Sequence, residues 1–236
     1  SAQFDTNDVA DGGKGSDTVG YTTADPLTLS GDELRSVEVL NVHKLDDTVD
    51  SLTFESSVVD LNDSILVQTA DTGTTTGSFA FDARTFVQTQ SVTFYDSGLN
   101  GTANSRKFGA GDDIYANDYA DPTYNVTVEG NGGADTIALS TNTTIAAAER
   151  REFVQFNTGN DGSLVPGAST GGDLIINFTA SAYNADGTAA ASADDDRVLI
   201  AGNNGSGQAT GLLFDLTQAQ GGTALMFGSL NKQLVL

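Results

Sequence analysis

The chain has no cysteine, no tryptophan, one histidine and three prolines in 236 residues. Each shortage removes a class of explanation. Without cysteine, neither a disulfide framework nor a thiolate metal site staples the fold. With His43 alone, a zinc-protease H-E-x-x-H pair and any two-histidine metal cluster within this chain are excluded. Ser-His-Asp chemistry would have to recruit His43, yet there is no G-x-S-x-G elbow, and Ser36 and Ser51 lie in strand-like patterns. Basic residues are the other scarcity: 10 Lys and Arg stand against 32 Asp and Glu, a net charge of −22. Such a surface repels nucleic acid and anionic membranes and attracts multivalent cations. No apolar run approaches the ~18 residues of a membrane span, and no basic segment with a following apolar stretch opens the sequence. The expectation is therefore no membrane insertion and no retained signal peptide. Sustained i, i+3, i+4 apolar spacing is also missing, which argues against a helical domain.

Glycine, by contrast, is plentiful, with 27 residues, and its placement beside aspartate is ordered. Residues 12–20 read Gly-Gly-Lys-Gly-Ser-Asp-Thr-Val-Gly, matching the nine-residue pattern G-G-x-G-x-D-x-U-x of calcium-binding parallel β-helices. Gly12, Gly13 and Gly15 tolerate the positive φ of a tight turn, so that backbone carbonyls turn toward a cation, and Asp17 adds a carboxylate. Val19 then begins a short strand with its side chain inward. Asp8 stands nine residues before Asp17, as the last acid of a preceding, glycine-poor repeat would, so the sequence reads as opening within an array.

Two more copies follow. Residues 108–116 keep Gly109, Gly111, Asp113 and the apolar Tyr115 in register, with Asp112 as a second carboxylate; residues 130–138 keep Gly130, Gly133, Asp135 and Ile137. Asn131 replaces a glycine, an exchange its tolerance of left-handed backbone allows. From Asp113 to Asp135 is 22 residues, close to one two-repeat coil with a small insertion, so these two turns are expected to stack and share an ion.

These residues resemble the RTX, or haemolysin-type, calcium-binding repeat family, and their sparse spacing is closest in style to its bacterial surface-layer members. The resemblance covers three nonapeptides, about a tenth of the chain, and a C-terminal pattern. It implies an all-β, right-handed parallel β-solenoid of the β-roll kind, Ca2+ held between successive Gly/Asp turns, and type I secretion to the cell exterior through an uncleaved C-terminal signal.

The order along the chain suggests a solenoid over 1–168 and a C-terminal β cap over 169–236. Residues 11–42 align with 129–158 as an internal duplication: a Gly/Asp turn, a strand, a short polar segment and a second strand. In that second strand Val37, Val39 and Asn41 share one face with Phe153, Gln155 and Asn157 of the other copy. Residues 32–35 and 147–150 each suit one helical turn. Between the copies, β-branched stretches at 51–54, 57–61, 64–69, 78–81 and 91–95 read as further rungs. In the tail, Gly171-Gly172-Asp173-Leu174-Ile175-Ile176-Asn177-Phe178, the Asp194-Asp195-Asp196 run and the apolar strand after it are similar to the closing segment of type I exported repeat proteins. An ordinary pair of final strands has the same pattern.

Three functions from different classes are compatible with these features. The first is an extracellular calcium-binding structural protein that self-assembles, as a subunit or domain of a surface layer, sheath or fibre. The second is the C-terminal calcium-folding and export module of a larger secreted enzyme or adhesin. The third is a module binding cell-surface polysaccharide, with Tyr95, Tyr115, Tyr119 and Tyr124 as sugar platforms. Enzymatic activity is not expected: the adjacent carboxylates Asp112 and Asp113 have the residue types of a glycosidase pair, but in a glycine-rich turn they read as cation ligands.

Overall fold

The computed structural model describes residues 8–23, 26–44, 50–60, 63–71, 78–97, 104–117, 125–140, 151–157, 173–177, 197–201, 210–215 and 224–233. Its strands, in chain order, are β1 (Ala10–Asp11), β2 (Thr18–Thr23), β3 (Leu27–Leu29), β4 (Leu34–Arg35), β5 (Val39–Lys44), β6 (Asp50–Phe54), β7 (Ser64–Asp71), β8 (Phe79–Asp82) and β9 (Ser91–Asp96). They continue as β10 (Asn104–Lys107), β11 (Ile114–Asn117), β12 (Asn125–Glu129), β13 (Thr136–Ala138), β14 (Arg151–Asn157), β15 (Asp173–Ile176), β16 (Arg197–Ala201), β17 (Thr210–Asp215) and β18 (Ala224–Gln233). The only helical element among the described residues is a 3-10 turn at Ser56–Val58.

Strands alternate between two sheets. One runs β2-β5-β7-β9-β11-β13-β15, all parallel; the other runs β3-β6-β8-β10-β12-β14-β16, also parallel. The chain is a parallel β-solenoid, each coil giving one strand to each sheet. Parallel strands joined this way must bury one face against the other sheet, and the alternation shows it: β6 and β8 read buried, half-buried, buried along their length.

The core between the sheets is aromatic at mid-height. Phe54 meets Phe81 edge-on at 5.2 Å, Phe81 meets Phe94 at 5.0 Å, and Phe94 stacks on Tyr115 at 6.3 Å. Each ring pair contributes ~0.5–1.5 kcal/mol beyond its buried area. A fully buried ion pair interrupts this core. Arg106 stands in register with Phe81 and Val128, positions that face inward, and its Nη2 lies 2.7 Å from Asp96 Oδ2, both side chains with no exposure. Its Nη1 donates to the Phe79 carbonyl, its guanidinium covers the Phe79 and Phe94 rings, and Thr69 donates to Asp96 Oδ1.

Several expectations change. Of the expected rung at 57–61, the described residues 57–60 are not a strand: Ser56–Val58 is a 3-10 turn, and Val58 and Val59 are buried in the bend between β6 and β7. At 32–35 a single hydrogen-bonded turn, in which the Glu33 and Leu34 amides both donate to the Ser30 carbonyl, leads at once into Leu34 and Arg35, which pair as β4 with β1. The aligned segments 11–42 and 129–158 diverge after their first strand, since β5 belongs to the first sheet and β14 to the second. The parallel sheets also run past residue 168, through β15 and β16. Among the described residues only β17 and β18 are antiparallel, a pair joined to β15 through β18. Residues 147–150, 194–196, Tyr119 and Tyr124 lie outside the described residues.

Candidate functional site

All three Gly/Asp nonapeptides fall on the same side of the solenoid, in the turns that enter the first sheet. The strand register aligns one residue at the start of each strand into a single column: Asp17, Glu38, Ile65, Val92, Asp113, Asp135 and Asp173. Ile65 and Val92 are buried in the core, so the column points inward. Four aspartates and a glutamate thus occupy a line where a solenoid normally places aliphatic side chains.

Four of these five carboxylates, all but that of Asp17, reach across one rung to the backbone. The Val92 amide donates to Asp113 Oδ1 at 2.6 Å, the Asp113 amide to Asp135 Oδ1 at 2.9 Å, and the Asp135 amide to Asp173 Oδ1 at 3.1 Å. At the other end the Asp17 amide donates to Glu38 Oε2 at 2.7 Å. Each bond repeats the last, one strand spacing of ~4.8 Å further along. Asp113 has a second donor, the Gly109 amide at 3.1 Å on Oδ2. Asp17, Asp135 and Asp173 have none: their Oδ2 atoms are buried with no hydrogen-bond partner.

This is an expensive arrangement for negative charge. Burial pushes the Asp113 carboxyl up to about 7, against the pull of its two amide donors, and the nearby Asp112 and Asp173 charges add to the rise. Asp135 is raised further, first by burial and then by repulsion from Asp173; Asp173 is raised by burial, partly offset by the Asp135 amide. Asp135 and Asp173 therefore sit side by side, each with a bare inward oxygen, and repel one another. Either protons or a cation relieves that.

The turns supply the surrounding backbone. Gly13 and Gly15 have φ of +82° and +131°, and their counterparts Asn131 and Gly133 have +65° and +115°. The Asn131 substitution thus keeps the left-handed geometry, and its Nδ2 donates to the Phe108 carbonyl. Gly12 and Gly130 do not have positive φ; they are glycine because the aspartate five residues on packs against them. A Cβ on Gly12 would overlap the Ser36 carbonyl and Asp17, and one on Gly130 would overlap Asp135 Oδ2. Gly109 and Gly111 also lack a positive φ, and a Cβ on either would strike the preceding coil at Phe86 or Gln90.

The turns of Asp113 and Asp135 do stack. Ile114 pairs with Thr136, the Gly132 amide donates to the Gly109 carbonyl, and Asp112 Oδ1 accepts from the Ala134 amide at 2.8 Å. Asp112 is exposed while Asp113 is buried, so the two carboxylates point apart. Asp8 precedes β1, which pairs with β4 outside both large sheets, so it has no place in the column. Tyr115 is buried and Tyr95 is exposed, which leaves Tyr95 as the one sugar platform named above that the described residues place at the surface.

Two members of the column escape a motif search. Asp173 follows Gly171 and Gly172, and Asp-Leu-Ile repeats the Asp-x-apolar signature of 17–19, 113–115 and 135–137, so its signal was there; Glu38-Val-Leu carries a fainter form. Among the described residues, no three His, Asp or Glu side chains converge closely enough to enclose a metal by themselves. A bound ion would take one or two carboxylates and complete its shell from turn carbonyls and water. Oxygen-only ligands of that kind suit a hard cation such as Ca2+ or Mg2+. Comparison with protein-family models, curated proteins and solved structures finds no match for this chain.

Proposed function

We propose that this chain is a calcium-binding structural protein of the cell exterior, a solenoid that completes its folding on meeting Ca2+ and assembles with copies of itself into a surface layer, sheath or fibre. The observation that carries the reading is the inward acidic column, with unpartnered Oδ2 atoms on Asp17, Asp135 and Asp173, in a chain of net charge −22. Where free calcium is scarce the column is paid for in repulsion and desolvation, and the chain stays loose enough for export by a type I route. Outside, modules of this class bind Ca2+ at ~10⁻⁴ to 10⁻³ M. At about ten times that dissociation constant each site adds about 1.4 kcal/mol by mass action.

The turn resemblance to RTX repeats supports the same reading. Ligands come from Asp17 at one end and from Asp113, Asp135 and Asp173 at the other, with the carbonyls of the 12–15 and 130–133 turns. Circular dichroism and sedimentation in chelator, then in Ca2+, test it together. The expected result is a gain of β signal and cooperative unfolding with Ca2+, followed by concentration-dependent assembly. A β spectrum and melting profile unchanged by chelator overturns the reading. A calcium-folded chain that stays monomeric favours the export-module alternative.

A further inference from the structure

The outer face of the first sheet differs from the rest of this acidic molecule. Its first outward row is Thr18, Val39, Leu66, Thr93, Ile114, Thr136 and Leu174, and its second is Gly20, Asn41, Gln68, Tyr95, Ala116, Ala138 and Ile176. Neither row contains Asp, Glu, Lys or Arg, although charged residues make up 18% of the chain. Ile114 and Tyr95 are each 42% exposed, and the aliphatic residues beside them are half-buried. The outer face of the second sheet is built differently, with Asp82 paired to Arg84 at 2.6 Å and Lys107 to Glu129 at 3.2 Å.

From this placement we infer that the charge-free face is where one copy of the chain docks against another, sheet face to sheet face. The inference rests on the self-assembly reading and names its surface. Two molecules of charge −22 repel wherever carboxylates meet. Joining through this face puts hydroxyl, amide and aliphatic groups against their own kind and leaves the acidic turns in solvent. Seven strands at ~4.8 Å and two to three outward positions per strand give a plane of about 500 Å² per copy. Two copies bury about 1,000 Å², below the ~1,200–2,000 Å² of stable specific interfaces and within the range of weak, transient ones. The contact is thus weak alone and accumulates when many copies join.

The test places one negative charge on the face. Tyr95→Glu, Ile114→Glu and the near-isosteric Gln68→Glu are compared by sedimentation in Ca2+ with the native chain and with Thr28→Glu, which adds the same charge to the exposed outer face of the second sheet. The expected result is association of the native chain and of Thr28→Glu, with at least tenfold weaker association of the three face variants. All of them should melt within a few degrees of the native chain in Ca2+. Face variants that assemble like the native chain overturn this surface and leave the assembly reading standing. A native chain that remains monomeric at high concentration overturns both. Retention on a neutral polysaccharide matrix, lost in Tyr95→Glu without any self-association, reassigns the face to a glycan.

Discussion

Replacing Asp135 by Asn should stabilise the chain without calcium and remove the stabilisation that calcium adds at its site. The Asp135 carboxyl is 2% exposed, gives Oδ1 to the Asp113 amide and leaves Oδ2 with no partner. Its neighbour Asp113 sets the scale: holding a carboxyl at about 7 rather than the ordinary 3.8 corresponds to about 4 kcal/mol above that pH. Asp135 is raised by the same burial and by Asp173 as well. Asparagine keeps the acceptor for the Asp113 amide and carries no charge, but it orphans its own amide hydrogens at ~1–3 kcal/mol. In chelator near pH ~8 the variant should therefore be more stable than the native chain by about 1–3 kcal/mol. At 100-fold excess of Ca2+ over its dissociation constant, a site contributes about 2.7 kcal/mol, which the variant forfeits. Urea unfolding followed by circular dichroism in chelator and in Ca2+ measures both differences. An undiminished calcium increment in the variant refutes Asp135 as a ligand. A loss of stability in chelator refutes the cost of its buried charge.

Four further outcomes follow from the same geometry. In chelator, stability should decline as pH rises from about 4 through 7 and beyond: the native state holds protons on Asp113, Asp135 and Asp173 above their ordinary range, so each contributes a slope of up to about −1.4 kcal/mol per pH unit. Ca2+ should flatten that slope, and a pH-independent midpoint in chelator would contradict it. Arg106→Met leaves Asp96 charged and fully buried, so it should cost ~3–5 kcal/mol by chemical denaturation, and adding Asp96→Leu should recover part of the loss. Gly133→Ala places a Cβ against the Gly111 carbonyl at φ +115° and should destabilise by more than ~1 kcal/mol, whereas Gly20→Ala, with open space around its Cα, should be neutral or mildly stabilising.

The solenoid was legible because two signals coincide in the sequence. Asp-x-apolar at 17–19, 113–115 and 135–137 marks the entry to a strand, and the 22-residue step from Asp113 to Asp135 is one coil. Local propensity misled where a coil reverses. Val58 and Val59 are β-branched, as strand residues are, yet they line a bend because the chain must pass from β6 to β7 within nine residues. The direction of the aspartates was not legible either. A glycine turn suggests carboxylates that join the turn carbonyls, whereas the register turns those of Asp113, Asp135 and Asp173 into the core and onto the preceding rung's amide. Nor does the polar tetrapeptide Asn104-Ser105-Arg106-Lys107 announce that its arginine is wholly buried. Only the neighbouring coils, which bring Asp96 and two phenylalanine rings to it, make that position tenable.

Ile65 and Val92 divide the acidic column into an Asp17–Glu38 segment and an Asp113–Asp135–Asp173 segment, and between them lies much of the aromatic core. In a stack where each coil touches only its neighbours, stability is a sum of local terms. The middle coils hold no column carboxylate. If Ca2+ binds the column as proposed, the two end segments meet the ion directly and the middle coils meet it only through their neighbours, so the effect of the ion enters the stack from both ends at once.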